Sequence, residues 1–498
     1  MPARSPQHQQ AGWFTTPAQV NHRRYEALRA WFVDGLTYQQ APTGSATPAG
    51  RWSTPATSGR DTRLPRAAVL DLGAWPRRLD TTRAGLLLVL PDLAALDLPG
   101  LVRTAGYPAT RVIPATCWLL RLLALKLTRT RRVSHVDDLL ADPAAGLLAG
   151  LAVLPKQSAL TSYSYRLAHD HQRGFLAALD HKLISTGLAT GEQAIFDLDF
   201  HAVLHWGHDP VLDKHHVPTR SQRARSVLTC FAQDTGTHNL VDAGADLSKA
   251  TQAREVLAFC DHWKAASGHD PHMLVMDQKL TTQKVLGELD ARGVKFLTLR
   301  MRSPALVRHS NSLTSTDFAT ITLDRPGPHN RPNVHEDTAV ALSDYPGTVR
   351  QLVVTGLGHH QPTVIITNDH QASLKTLISQ YARRMTIEQR LAEIIRAFCA
   401  DALSSTVNLN VDLDVMLAVL AQALLAALRA RLPGYHAVTP DVIQRRFLET
   451  PGTIINHGDT ITVRLERRAY APVLRKASLP AQTTVPWWDN RTLRYEFA

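Results

Sequence analysis

The spacing of apolar positions changes several times along this chain, and the changes divide it. Residues 1 to about 64 show little periodicity and are rich in Pro, Ser, Thr, Gly and Gln. That composition predicts loose order. One island, residues 24–33, spaces its apolar residues as a helix does; Asp34-Gly35 then makes a turn, and Thr37 can cap a second helix. Pro42 and Gly44 stop that second helix at once, so the segment reads either as a short helix-turn-helix or as a stray amphipathic helix. From 65 to about 190 the 3.6-residue period dominates, with helices predicted at 115–128, around 136–140 and at 175–185.

From about 192 the period switches to two. Residues 194–204, 226–233 and 238–242 read as strands, 249–265 as a helix and 273–276 as a buried strand. A helix capped by Thr281 or Thr282 and a strand at 294–299 follow. Three consecutive strands suit hairpin pairing, and strands that follow helices suit parallel addition through crossovers. That is the element order of an RNase H-like α/β core, which closes on a helix. Residues 302–360 are rich in Pro, Asn, Ser and Thr and carry candidate strands at 318–323, 339–342 and 350–354, which marks a mostly β insertion. A strand-like run at 364–368 leads into an apolar-periodic helix through 381–388. The division expected is a loose segment 1–64, a helical DNA-binding domain 65–190, a catalytic core 191–301 with 361–410, the insertion 302–360, and a C-terminal helical and β tail 411–498.

Length and charge narrow the partners. The chain has 498 residues, and Lys plus Arg (55) exceed Asp plus Glu (43), for a net charge of +12 and a pI of about 9.7. Such an excess favours a polyanion, nucleic acid before membrane. Arg103, Arg111, Arg121, Lys126, Arg129, Arg131 and Arg132 make the helical part basic, either as solvated helix faces or as a DNA surface. Cys117, Cys230, Cys260 and Cys399 lie far apart without zinc spacing, which predicts reduced thiols. The polar N-terminus carries no secretory signal. The apolar run 85–102 is interrupted by Pro91, Asp92, Asp97 and Pro99, and 415–428 is short and contains Gln422, so a buried core helix is expected there. The expectation is a soluble, cytoplasmic protein without a membrane partner.

In 194–200 the even positions Ala194, Phe196, Leu198 and Phe200 take one strand face, and Asp197, Asp199 and His201 take the other. Carboxylates in a central strand are costly to desolvate unless a cation or donors compensate. Asp277 ends its strand and precedes a helix, where α/β sheets place functional groups. At about 100° per residue Tyr381, Arg384 and Glu388 share a narrow helix arc. Three such acids can hold two Mg²⁺ ions, with Mn²⁺ as a substitute, in a phosphoryl-transfer site. His208, His215, His216, His359 and His360 invite a metal reading, but adjacent histidines in a strand face opposite ways, so solvated or DNA-facing roles are favoured.

The stretch from Phe196 to Leu403 resembles the bacterial insertion-sequence DDE transposases of the Tyr-Arg-Glu-Lys branch. The resemblance is carried by Asp199-Phe200-His201, by Lys214-His215-His216-Val217 with Arg220, Arg223 and Arg225, by Asp277 with Lys279-Leu280-Thr281-Thr282, by Thr298-Leu299-Arg300, and by Tyr381, Arg384 and Ile387-Glu388. It implies an RNase H-like core with a β insertion, and Asp199, Asp277 and Glu388 as the catalytic, metal-binding triad. Asp197 is the rival for the first place. It further implies that Tyr381, Arg384, Arg396, Arg220, Arg223, Arg225 and Lys279 contact DNA, and that a homodimer forms on the transposon ends. The motif's lysine falls on Ile395, with Arg396 one residue later. A nuclease of the same fold, or a DNA-binding protein that has lost catalysis, fits the same residues.

Overall fold

The change of period near residue 192 coincides with the entry of the chain into a large mixed sheet. The computed structural model describes residues 68–73, 75–130, 136, 138–204, 213–217, 222–277, 280–301, 303–324, 329–357, 361–400 and 408–497. The helix-turn-helix expected in 1–64 lies outside them. Ahead of the sheet come β1 (Ala68–Val69), β2 (Arg78–Thr81), α1 (Ala115–Leu127), β3 (Leu151–Val153), α2 (Gln157–Ser164) and α3 (His169–Ser185), numbering only helices of eight residues or more. The sheet is entered by β4 (Ile195–Leu204), β5 (Lys214–Val217), β6 (Gln222–Asp234) and β7 (Leu240–Leu247). Then follow α4 (Glu255–Ser267), β8 (Met273–Met276), α5 (Gln283–Ala291) and β9 (Lys295–Leu299).

Strand β4 sits at the centre. It pairs antiparallel with β6, Asp199 opposite Phe231, and parallel with β8, Asp197 beside Val275. Strand β9 continues parallel on β8, and β7 runs antiparallel on the far side of β6, giving the order β7-β6-β4-β8-β9. Strand β5 forms a hairpin with the first residues of β6. The protein is therefore of the mixed α/β class.

The segment expected as a β insertion begins with a helix, α6 (Pro304–Ser312), capped by the Ser303 side chain. Its strands are β10 (Ala319–Thr320), β11 (Asn333–Ala341) and β12 (Thr348–Thr355), followed by β13 (Thr363–Thr367). They do not stand apart, because β13 pairs antiparallel with β9 and the order β13-β12-β11-β10 widens the same sheet. Strand β11 is longer than the alternation at 339–342 suggested. Its polar half, His335 to Asp337, hides the period because those side chains bond to neighbours rather than to solvent.

Beyond β13 the expected single helix is two: α7 (Leu374–Arg383) and α8 (Met385–Phe398), meeting at Arg384. The amides of Arg384 and Ile387 bond three residues back, to Tyr381 and Arg384, instead of four. Helix α9 (Asn408–Arg431) and strands β14 (Gly452–Asn456), β15 (Thr460–Leu465), β16 (Thr483–Val485) and β17 (Arg491–Phe497) complete the chain. These residues do not form a detached tail. Strand β14 pairs with β2, in the order β16-β17-β15-β14-β2, and residues 66–498 form one unit.

The two faces of the central sheet are covered differently. Phe196 packs edge-on against Phe259 and Trp263 of α4, at 5.0 and 4.5 Å between ring centres. On the opposite face Met273, Val275 and Leu297 form a second apolar cluster with Leu377 and Ile378 of α7. Residues 411–431 are long and apolar enough to cross a membrane, yet 89% of their most apolar window is buried inside the protein. Polar pins fix this helix against β7. Asp412 accepts from the Ala245 amide at 2.8 Å, and Gln422 accepts from the Leu240 amide at 3.1 Å.

Two of the basic residues of α1 prove to be neither solvated nor available to DNA. Arg121 is fully buried and donates to the Val136 carbonyl. Lys126 is buried too; its ammonium donates to the Phe398 carbonyl at 3.1 Å and pairs with Asp414 at 2.6 Å. It thus caps the carboxyl end of α8, where a cation complements the exposed carbonyls. Lys126→Ala should cost about 3–5 kcal/mol, the effect of stranding a buried charge. Urea denaturation measures this, and a loss below about 1 kcal/mol would return Lys126 to the surface.

Candidate active site

The strand alternation that sends Phe196 and Leu198 toward α4 sends Asp197 and Asp199 toward α7 and α8. Asp277 follows the last residue of β8, the strand beside β4, so its carboxylate leaves the sheet next to Asp199. Glu388 and Asp277 act electrostatically on Asp199, and all three acids act on Arg384. The three acids thus lie within electrostatic reach of one arginine.

Arg384 organises them. Its Nη2 donates to Asp199 Oδ1 at 3.3 Å and its Nη1 lies 3.8 Å from Glu388 Oε1. The side chain of Arg384 is only 8% exposed, against 53% for Glu388. This is not an exposed ion pair along one helix. The break between α7 and α8 turns the guanidinium inward to the strand.

Burial makes the strand acids reluctant to ionise. Asp197 is completely buried, and neither of its oxygens has a hydrogen-bond partner. Desolvation pushes its carboxyl up to about 7; the Arg384 charge opposes the shift and the Asp199 charge adds to it. Asp199 is pushed to about 6 by burial, against the pull of Arg384 and with repulsion from Glu388 and Asp277. Burial raises the Tyr381 phenol to about 12, so it remains a donor at neutral pH. Burial also works against the Arg384 charge, but Asp199, Tyr381, Asp277 and Glu388 outweigh it and keep the guanidinium protonated.

The other predicted residues scatter. Arg223 and Arg225 lie on the β5–β6 hairpin, paired by register with His216 and Lys214. Arg220 and Lys279 fall outside the described residues, as do His208, His359 and His360. His215 bonds to the Ser226 hydroxyl at 3.0 Å. Arg396 is exposed in the last turn of α8, donates to the Ala392 carbonyl and acts on Asp441. Ile395, at the place of the motif's lysine, packs against the core.

A hard cation suits carboxylate oxygens, and the Glu388 and Asp277 charges act on Asp199 beyond the effect of its burial. The arrangement is nevertheless open. Among the described residues, the three-ligand set whose atoms all lie within 4.8 Å is His309, His335 and Asp337. The triad of acids is spread around the Arg384 guanidinium instead. No family model and no curated protein matches this chain.

Sequence reasoning missed two things here. The helix arc of Arg384 carries no sign that its guanidinium balances the strand acids. The His335-Glu336-Asp337 alternation passed unnoticed, although residues two apart in a strand share a face.

The Asp197 shift carries a pH signature. Its folded pKa lies above the ordinary value of 3.8, so the native state holds the extra proton between about 4 and 7. Stability from this group therefore falls as pH rises through that window, by up to about 1.4 kcal/mol per unit. Asp197→Asn removes the titration. In metal-free buffer its melting temperature should exceed the wild-type value by clearly more at pH 8 than at pH 5. Equal differences at both pH values would mean that Asp197 stays ionised in the fold.

Proposed function

We propose that the protein is a DDE transposase, a metal-dependent enzyme that cuts DNA at the terminal inverted repeats of an insertion sequence and joins the freed 3′-hydroxyl to target DNA. One observation carries this reading: Asp199, Asp277 and Glu388, from two neighbouring strands and a later helix, converge on one buried arginine. The order β7-β6-β4-β8-β9, antiparallel and then parallel, supports an RNase H-like core, and the added strands from β13 to β10 support the branch with a β insertion.

Asp199, Asp277 and Glu388 would hold two Mg²⁺ or Mn²⁺ ions, which when bound supply Lewis acidity at the phosphate and acidify the attacking hydroxyl. The protein's own groups do the rest. Tyr381, held protonated, donates to a backbone phosphate of the transposon end. With its carboxylate partners neutralised, the Arg384 fork turns to the same phosphate, where two parallel donors fix the phosphate's orientation. Arg223 and Arg225 on the β5–β6 hairpin follow the DNA backbone, with Arg220 and Lys279 in the same role. Two protomers bring the two ends together in the bacterial cytoplasm, on the nucleoid.

A second reading, a DNA-binding protein that no longer cuts, draws on the Arg384–Asp199 pair and on Ile395. The pair competes with any cation at Asp199, and the apolar Ile395 removes a phosphate contact.

The readings part in one assay on DNA carrying the element's ends. Asp199→Ala, Asp277→Ala and Glu388→Ala should each lower Mg²⁺-dependent cleavage by roughly a thousandfold or more, and double variants should add little. Arg384→Lys should lose activity and Arg384→Ala more, because lysine keeps charge without the planar fork. Tight end binding with no cleavage by the wild-type protein selects the second reading, and cleavage without joined product selects a nuclease. Binding of the ends should weaken steeply with salt, with a slope set by the phosphates neutralised. A binding constant flat between 50 and 200 mM salt would rule out an extended DNA surface.

A further inference from the structure

We propose that His309, His335 and Asp337 form a binding site for a divalent transition metal of the Zn²⁺ class, clipping α6 to β11 at the outer part of the sheet. His335 and Asp337 are two apart on β11 and share a face, and His309 reaches them from the last turn of α6. One ligand atom from each lies within 4.8 Å of the other two. His309 Nε2 is 3.1 Å from Asp337 Oδ2, and His335 Nε2 is 3.2 Å from Asp337 Oδ1. Metal–ligand bonds of about 2.0–2.1 Å put tetrahedral ligands roughly 3.3 Å apart, and each imidazole nitrogen already lies at nearly that distance from one oxygen of Asp337.

The surroundings orient these groups as an outer shell does. His335 Nδ1 donates to the Asp317 carbonyl at 2.9 Å, which fixes its proton there and leaves the Nε2 lone pair for the carboxylate side. A lone pair facing a carboxylate at 3.2 Å is repulsive unless a proton or a cation lies between them. Gln351 donates to Asp337 Oδ2 at 2.7 Å, and Arg300 in turn donates to Gln351. Two of the three ligands, His335 and Asp337, are thus held by a second residue. His309 is 40% exposed, which gives a path from solvent and an open side for a fourth ligand. Two imidazoles select a borderline metal over Mg²⁺, which prefers oxygen, so this site differs in kind from the carboxylates around Arg384.

The test uses the full chain, stripped with a chelator and titrated with Zn²⁺, then Co²⁺, under excess Mg²⁺. The expected result is one equivalent of Zn²⁺ bound, a melting temperature several degrees higher, and visible Co²⁺ bands of nitrogen ligation. His309→Ala and Asp337→Asn should each weaken Zn²⁺ binding at least tenfold and shift or abolish the bands. Asp199→Ala combined with Asp277→Ala should leave both intact. No Zn²⁺ retained against Mg²⁺, or retention unchanged in His309→Ala, would overturn the site and leave a protonated His–Asp cluster in its place. Should Asp337→Asn fail to fold, His309→Ala on the more exposed helix decides alone.

Discussion

Carboxylates in the middle of a covered sheet set the terms for everything around them. Asp197 and Asp199 lie on β4 with neighbouring strands on both sides and helices over their face. An ionised carboxylate there loses most of its hydration and must recover it from donors or from opposite charge. Asp199 recovers part from the Phe200 amide and the Arg384 guanidinium. Asp197 recovers nothing by hydrogen bonding and responds by holding its proton. One guanidinium does not offset this: burial first, and then repulsion from Glu388 and Asp277, raises the proton affinity of Asp199.

The helices above are built to bring that guanidinium down. At the start of α7, Asp369 accepts from the amides of Gln371 and Ala372 and from Lys295, and buried Arg350 bonds the carbonyls of Asp369 and Ala372. At the end of α8, Lys126 holds the Phe398 carbonyl and Gln444 holds that of Ala397. A helical segment pinned at both ends, with an inward-facing arginine between, can satisfy the strand acids only by tightening its turn where the arginine sits. The three-residue hydrogen bonds around Arg384 are that turn.

Much of the sheet was legible because period two is visible wherever one face is apolar, as in β4, β8 and β13. Strand β11 was read short because its polar half pairs with other polar side chains, and hydropathy cannot distinguish those from solvent. The helix at Tyr381 was read as continuous because Arg384 is a good helix former with no proline or glycine beside it. Tertiary demand broke it, and no local signal carries that demand. The convergence of Asp199, Asp277 and Glu388 was legible through strand ends and helix arc, whereas the inward turn of Arg384 was not. The same limit hid the burial of Arg121 and Lys126. A basic residue in an otherwise apolar helix reads as surface until its carbonyl or carboxylate partner, hundreds of residues away for Lys126, is known.

That last point changes how the net charge is to be used. A surplus of +12 counts every cation alike, yet Arg121, Lys126, Arg173, Arg350 and Arg384 are spent on interior carbonyls and carboxylates. Interior cations that neutralise interior acids cancel in the sum, so they do not inflate it. Arg350, which pairs with Glu336 at 2.7 Å besides holding two carbonyls, is one of these. The field that a polyanion would meet comes from exposed cations such as Arg223, Arg396 and Arg445, and their placement matters more than their number. On α8 the exposed Arg396 stands roughly three turns beyond Arg384, near Asp441, and Ile395 beside it packs against the core. The length of α8 between its first and last turns therefore keeps Arg396 apart from Glu388 and the strand acids at its beginning.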